Sequence, residues 1–176
     1  GNGASQTSIY GTFETNEDYD PSRIDVCLIS VGSPTGNIGL SIYDVASNTP
    51  STLIETSPDT IDASTVPASY PTYNCYEYTF SSTSLTSGTE YALVISGVNT
   101  GSGNSIGVEM NQSAPANVEW GHYNGASWTN KGSGENIAYI IYEDSAVVSD
   151  EIITINAKDK QNETVLLSFN ATLNND

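Results

Sequence analysis

Two stretches, Ile24-Asp25-Val26-Cys27-Leu28 and Cys75-Tyr76-Glu77-Tyr78-Thr79-Phe80, decide the fold. In each, apolar and polar side chains alternate, a period of two that fits an extended strand and not a helix. Ile24, Val26 and Leu28 form one face of the first strand, and Tyr76, Tyr78 and Phe80 one face of the second. Cys27 and Cys75 therefore both fall on outward faces. Outward cysteines on neighbouring strands predict a disulfide between Cys27 and Cys75. Closing a loop of about 50 residues in this way stabilises by about 4 kcal/mol on the chain-entropy account. The chain has no other cysteine, and no Cys-x-x-Cys spacing offers a metal or redox site.

The same alternation extends along the chain. It predicts strands over 6–13, 23–31, 37–44, 51–56, 73–80, 90–97, 104–110, 117–123, 126–130, 136–143, 152–158 and 163–173. Turn residues separate them, among them Gly32-Ser33-Pro34-Thr35-Gly36, Thr86-Ser87-Gly88, Gly101-Ser102-Gly103 and Asn124-Gly125. Many short strands at such spacing mean a sandwich or a barrel. Residues 57–72, with Pro58, Pro67 and Pro71, read as the longest loop.

Charge narrows the partners. Four basic residues (Arg23, Lys131, Lys158, Lys160) face 21 acids, for a net charge of -17. Nucleic acid and anionic membrane surfaces would meet no basic patch. No apolar run approaches the ~20 residues of a membrane-spanning helix. The opening Gly-Asn-Gly-Ala-Ser, without an initiator Met or apolar leader, is expected of a secreted chain after signal-peptide removal. An extracellular, cell-surface or virion location follows as the expectation.

Three segments carry a resemblance: Val31-Gly-Ser-Pro-Thr-Gly-Asn-Ile-Gly-Leu-Ser-Ile-Tyr43, Ser84-Leu-Thr-Ser-Gly-Thr-Glu-Tyr-Ala-Leu-Val-Ile95 and Val118-Glu-Trp-Gly121. In this order they resemble the extracellular jelly-roll domain of "choice-of-anchor R" surface proteins, over about residues 5–143. The resemblance implies a non-catalytic β-sandwich of secreted or surface proteins and brings no functional residues with it. The expected fold is all-β: an antiparallel jelly-roll-like sandwich over residues 1–149, with an additional C-terminal β-hairpin over 150–176.

That hairpin lies beyond the resemblance. Val165, Leu167, Phe169, Ala171 and Leu173 alternate in its second strand, and Ile153 and Ile155 in its first, around the turn 158–163. Fully burying four large apolar side chains contributes on the order of 6–12 kcal/mol before entropy costs. A lone hairpin is marginal in water, so this one must dock, either on its own sandwich or as a strand donated to a neighbouring subunit.

Other candidates are weaker. The single histidine, His122, lacks a Gly-x-Ser-x-Gly elbow elsewhere, and no enzyme is expected. The Asn124-Gly125 turn predicts that Tyr123 faces Ala126 and Gly121 faces Trp128. Trp120 then lies in the core with His122 at its rim, while Tyr123 and Trp128 share the other face. That pair is either a platform for sugar stacking or a cover in which Trp128 shields the bare backbone of Gly121. Glu14, Glu17, Asp18 and Asp20 crowd one acidic segment, either a solvated turn or a structural calcium site, the one cofactor considered. Sequons at Asn111, Asn162 and Asn170 are no more frequent than 17 Asn and 43 Ser plus Thr give by chance. The expected function is a non-catalytic structural or adhesive subunit of a surface layer, filament or virion, a homo-oligomer by strand pairing. A carbohydrate-binding module is the alternative.

Overall fold

The structure is a computed structural model and describes residues 7–68, 73–98, 103–111, 118–143, 152–158 and 164–170. In chain order its strands are β1 (Ser8–Glu14), β2 (Pro21–Val31), β3 (Asn37–Ala46), β4 (Thr49–Asp62), β5 (Asn74–Thr79), β6 (Glu90–Ser96), β7 (Ser105–Val108) and β8 (Met110–Asn111). β9 (Glu119–Tyr123), β10 (Trp128–Ser133), β11 (Asn136–Ile137), β12 (Tyr139–Glu143), β13 (Ile152–Lys158) and β14 (Thr164–Asn170) complete the series. Beyond the strands, the described residues hold one short 3-10 turn, Ala63–Thr65. The fold is an all-β antiparallel sandwich, as the alternation requires.

The chain divides into two compact units, Gly1–Glu143 and Asp144–Asp176. In the first, one sheet runs in the order β10-β9-β1-β6-β3-β4, and the other in the order β12-β2-β5, with β7 also paired to β2. β11 and β8 form a short separate pair. Ile24, Val26 and Leu28 of the small sheet and Ile38, Leu40, Ile42, Leu93 and Ile95 of the large one are at most 1% exposed and make the core. Each such burial stabilises by roughly 1.5–3 kcal/mol. Tyr78 lies among them and donates its hydroxyl to the Ile38 carbonyl, 3.3 Å away, so its one polar atom is not left unpaired.

The outer face of the large sheet carries a second, smaller core. Tyr10, Ala92 and Val94 are buried there with Tyr43, Val45 and Trp128 against them. The β3–β4 hairpin covers this face through its tip, where Ser47 and Asn48 both take positive φ (52° and 60°), the geometry of a tight two-residue hairpin turn. The Asn48 carbonyl accepts from Tyr10 Oη at 2.9 Å and from Asn130 Nδ2 at 3.3 Å.

One expectation is overturned in this unit. Residues 57–62, assigned by their proline to a long loop, are the second half of β4. Pairing with β3 steps from Ser41 opposite Thr56 to Gly39 opposite Thr60, leaving Ser57, Pro58 and Asp59 in an irregularity. β4 is the last strand of its sheet, so a residue without an N–H is tolerated there.

In the second unit β13 pairs with β14, with Ile153 opposite Phe169, Ile155 opposite Leu167 and Ala157 opposite Val165. This is the hairpin read from the alternation, with β14 ending at Asn170; Ala171 and Leu173 lie outside the described residues.

Candidate functional site

Cys27 and Cys75 are register partners on β2 and β5 and form a disulfide. Around it the outer face of the small sheet holds a compact polar cluster. Arg23 lies 3.8 Å over the Tyr142 ring and pairs with Asp25 at 3.1 Å and Glu77 at 3.3 Å.

The aromatic hairpin departs from its expected register. Tyr123 faces Trp128, not Ala126, and Gly121 faces Asn130, not Trp128. The connection is a four-residue loop: Asn124 N–H donates to the Ser127 carbonyl, and Asn124 Oδ1 accepts the N–H groups of Ala126 and Ser127 at 3.0 Å each. Side-chain bonding by Asn124 thus overrides the tighter Asn-Gly turn. Because the shift is two residues, Tyr123 and Trp128 still share a face, with ring centroids 4.9 Å apart. The cover over Gly121 is Tyr10 rather than Trp128: a Cβ at Gly121 would overlap the Tyr10 ring and the Thr129 carbonyl. Trp128 packs edge-on against Tyr10 instead, at 5.4 Å. Burial, with Glu119 and Glu90 nearby, pushes the Tyr10 phenol up to about 12. Trp120 is half-buried rather than in the core, as is His122. Burial first, then Lys131, lowers the His122 imidazole, and its Nδ1 is enclosed without a partner.

The acidic segment is held to the turn at Thr86–Gly88. Asp18 Oδ1 accepts the Ser87 N–H at 2.9 Å, Ser87 Oγ donates to the Asn16 carbonyl at 2.9 Å, and the Gly88 N–H to the Thr15 carbonyl. Glu14, Glu17, Asp18 and Asp20 are exposed, and no group of three His, Cys, Asp or Glu among the described residues could hold a metal ion. Next to this segment lies a groove of about 300 Å³, lined by Phe13, Tyr19, Tyr139 and Ile141 together with Glu14 and Glu17. Burial pushes the Tyr139 phenol up to about 12. Sequence reasoning passed over these four apolar groups. The signal was the run Tyr139-Ile140-Ile141-Tyr142, apolar on both faces of one strand.

That run is β12, an edge strand, and the edges differ in how they are closed. The end of β5 and the turn after it are capped by carboxylates of β4: Asp59 accepts from the Thr79 N–H and hydroxyl, and Glu55 from the Ser81 and Ser82 N–H groups and the Thr83 hydroxyl. Hydrogen bonds from Thr79 hold the Asp59 carboxyl below its usual range. Burial alone would raise Glu55, but its bonds from Thr83, Ser81 and Ser82 prevail and lower it. β4 itself carries Pro50 and Pro58 and three register shifts, and β10 carries Lys131 and a shift at Asn130–Gly132. Prolines, charges and bulges of this kind guard an edge against further pairing. Among the described residues β12 has none of them before the register shift at Tyr142–Glu143, and Ile140 is 57% exposed; β7, paired only with β2, is a further edge of this sheet.

Of the sequon residues, Asn111 ends β8, Asn170 ends β14, and Asn162 lies outside the described residues. No protein family, curated protein or solved structure matches this chain.

Proposed function

We propose that this protein is a non-catalytic, extracellular structural or adhesive building block that assembles with copies of itself through its C-terminal hairpin. The observation that carries this role is the separate β13–β14 unit, a two-stranded hairpin whose strands hold Ile153, Ile155, Val165, Leu167 and Phe169 at alternate positions. Two strands alone do not bury such a row, and a hairpin of this kind gains stability only against another sheet. An exposed sheet edge such as β12, with Ile140 57% exposed, is the kind of surface that such a hairpin needs. The disulfide fits an oxidising compartment, and the resemblance of three segments to surface-protein domains points the same way. Light scattering of the intact chain over a range of concentrations tests the proposal. Growing polymers are expected, absent after truncation following Ser149, and monodisperse monomers at high concentration would overturn it.

Carbohydrate binding is the second reading, favoured by the half-exposed Tyr123–Trp128 pair on the outer face of the large sheet. Retention on immobilised polysaccharide, lost on replacing Trp128 by Phe, is its signature.

A further inference from the structure

Resting on the carbohydrate reading, we propose that the Tyr123–Trp128 pair is one end of a track across the whole outer face of the large sheet, and that its occupant is an extended, uncharged, β-1,4-linked polysaccharide. The register of the sheet lays the track out. Trp128 on β10 stands opposite Tyr123 on β9, Tyr123 opposite Ser8 on β1, and Ser8 opposite Ser96 on β6. Ser96 in turn stands opposite Gly39 on β3, and Gly39 opposite Thr60 on β4. Residues directly opposite one another share a face, so these residues form one line over all six strands. At the usual strand spacing that line is roughly 24 Å long. Ser96 and Thr60 are exposed, and the other four residues half-buried. In the next row the Asn48 carbonyl holds Tyr10 and Asn130, so the β3–β4 tip lies over that row and borders the line at its β10 end.

The side chains select the occupant. Aromatic rings take the apolar C–H face of a pyranose, whose equatorial hydroxyls stay at the rim of the contact. Beyond the pair the line holds small hydroxylated side chains, Ser8, Ser96 and Thr60, and the bare backbone of Gly39, where a Cβ would come within 3.2 Å of Ser96 Oγ. A protein partner needs an apolar centre, which the line lacks away from its aromatic end. A sugar chain needs a low floor with donors and acceptors at a regular spacing. Successive strands supply one residue about every 4.8 Å, close to the advance of one sugar in a β-1,4-linked chain, whereas a coiled α-linked chain would leave a straight line. Charge narrows the class further. The line, and the row beside it from Asn130 through Tyr10 to Thr56, contain no charged residue, although the chain carries a net charge of -17. The outer face of the small sheet, by contrast, holds Arg23, Asp25 and Glu77. With no cation on the line, uronate or sulfate groups would meet only the repulsion of an acidic chain, and neutral sugars fit instead.

The test titrates the full chain by calorimetry with cello-, manno- and chito-oligosaccharides, from dimers to hexamers, and with alginate oligomers beside them. In one neutral series hexamers are expected to bind at least tenfold tighter than dimers, because each further sugar meets a further strand of the same rigid surface. Ser96→Glu, at an exposed position in the middle of the line, should remove that gain and leave dimer binding at the aromatic pair unchanged. Thr60→Glu, on the edge strand at the far end, is the second variant and should weaken hexamers while sparing dimers. Equal affinity for dimers and hexamers, or a gain that survives both substitutions, overturns the track and leaves the aromatic pair standing as a carbohydrate platform. Tighter binding of alginate overturns the uncharged class. No binding in any neutral series overturns both the track and the carbohydrate reading, and a Ser96→Glu chain that then also loses self-association assigns this face to a second copy instead.

Discussion

Replacing both Cys27 and Cys75 by Ser should lower the melting temperature by about 8–16 °C. The two residues are 48 apart, and the chain between them leaves the small sheet after β2, forms β3 and β4 of the large sheet, and returns as β5. Closing a loop of that length in the unfolded chain removes entropy worth about 4 kcal/mol near room temperature. For a chain of this size each kcal/mol moves the melting temperature by about 2–4 °C. Little enthalpy is lost in exchange, since Cys75 is exposed, Cys27 half-buried, and both point away from the core. Thermal unfolding followed by circular dichroism at low protein concentration measures the effect. Reduction of the unaltered protein should give the same drop, because the exposed Cys75 leaves the bond open to reductant. A loss under about 3 °C in both experiments would refute the reasoning, since the unfolded loop would then be constrained by something other than the disulfide.

The other expectations follow from single contacts. Gly121→Ala sets a Cβ against the Tyr10 ring and the Thr129 carbonyl and should cost about 1–3 kcal/mol in urea denaturation; an unchanged midpoint would mean that the close approach is not there. Trp128→Ala removes the edge-on partner of a fully buried tyrosine, so it should cost about 1–3 kcal/mol besides any sugar binding, below the range for a fully buried tryptophan. Both β4 carboxylates that cap the turn after β5 titrate lower in the folded chain than at their reference values of 4.5 for Glu55 and 3.8 for Asp59. Their contribution is full above about pH 4.5 and disappears as pH falls through the folded values, while protonation of the other acids relieves the repulsion of a -17 chain. Glu55→Gln with Asp59→Asn should therefore flatten the loss of stability below pH 4.5 relative to the unaltered protein, and an unaltered slope in chemical denaturation across pH 2–6 would count against these caps.

How far the sequence reaches depends on which side of a strand is asked about. Period-two alternation reports which residues share a face, and it correctly assigned Ile24, Val26 and Leu28 to the core and both cysteines to the outside. It does not report what later covers that face. Tyr10 alternates outward from Phe13 yet is fully buried, because the β3–β4 tip, far away in sequence, folds over it and supplies the Asn48 carbonyl. Nor does alternation reveal strand order, and order decides what a residue means. Pro58 reads as a breaker until β4 proves to be an edge strand, where a missing N–H costs no ladder bond and instead helps keep other strands away. The same knowledge of order turns Tyr139-Ile140-Ile141-Tyr142 from an ordinary apolar strand into an edge strand of the small sheet. Its inward pair, Tyr139 and Ile141, packs beside Phe13 from the opposite sheet, while Ile140 remains outside with nothing across from it beyond Asp25. A strand apolar on both faces at an edge is a surface that another strand can complete.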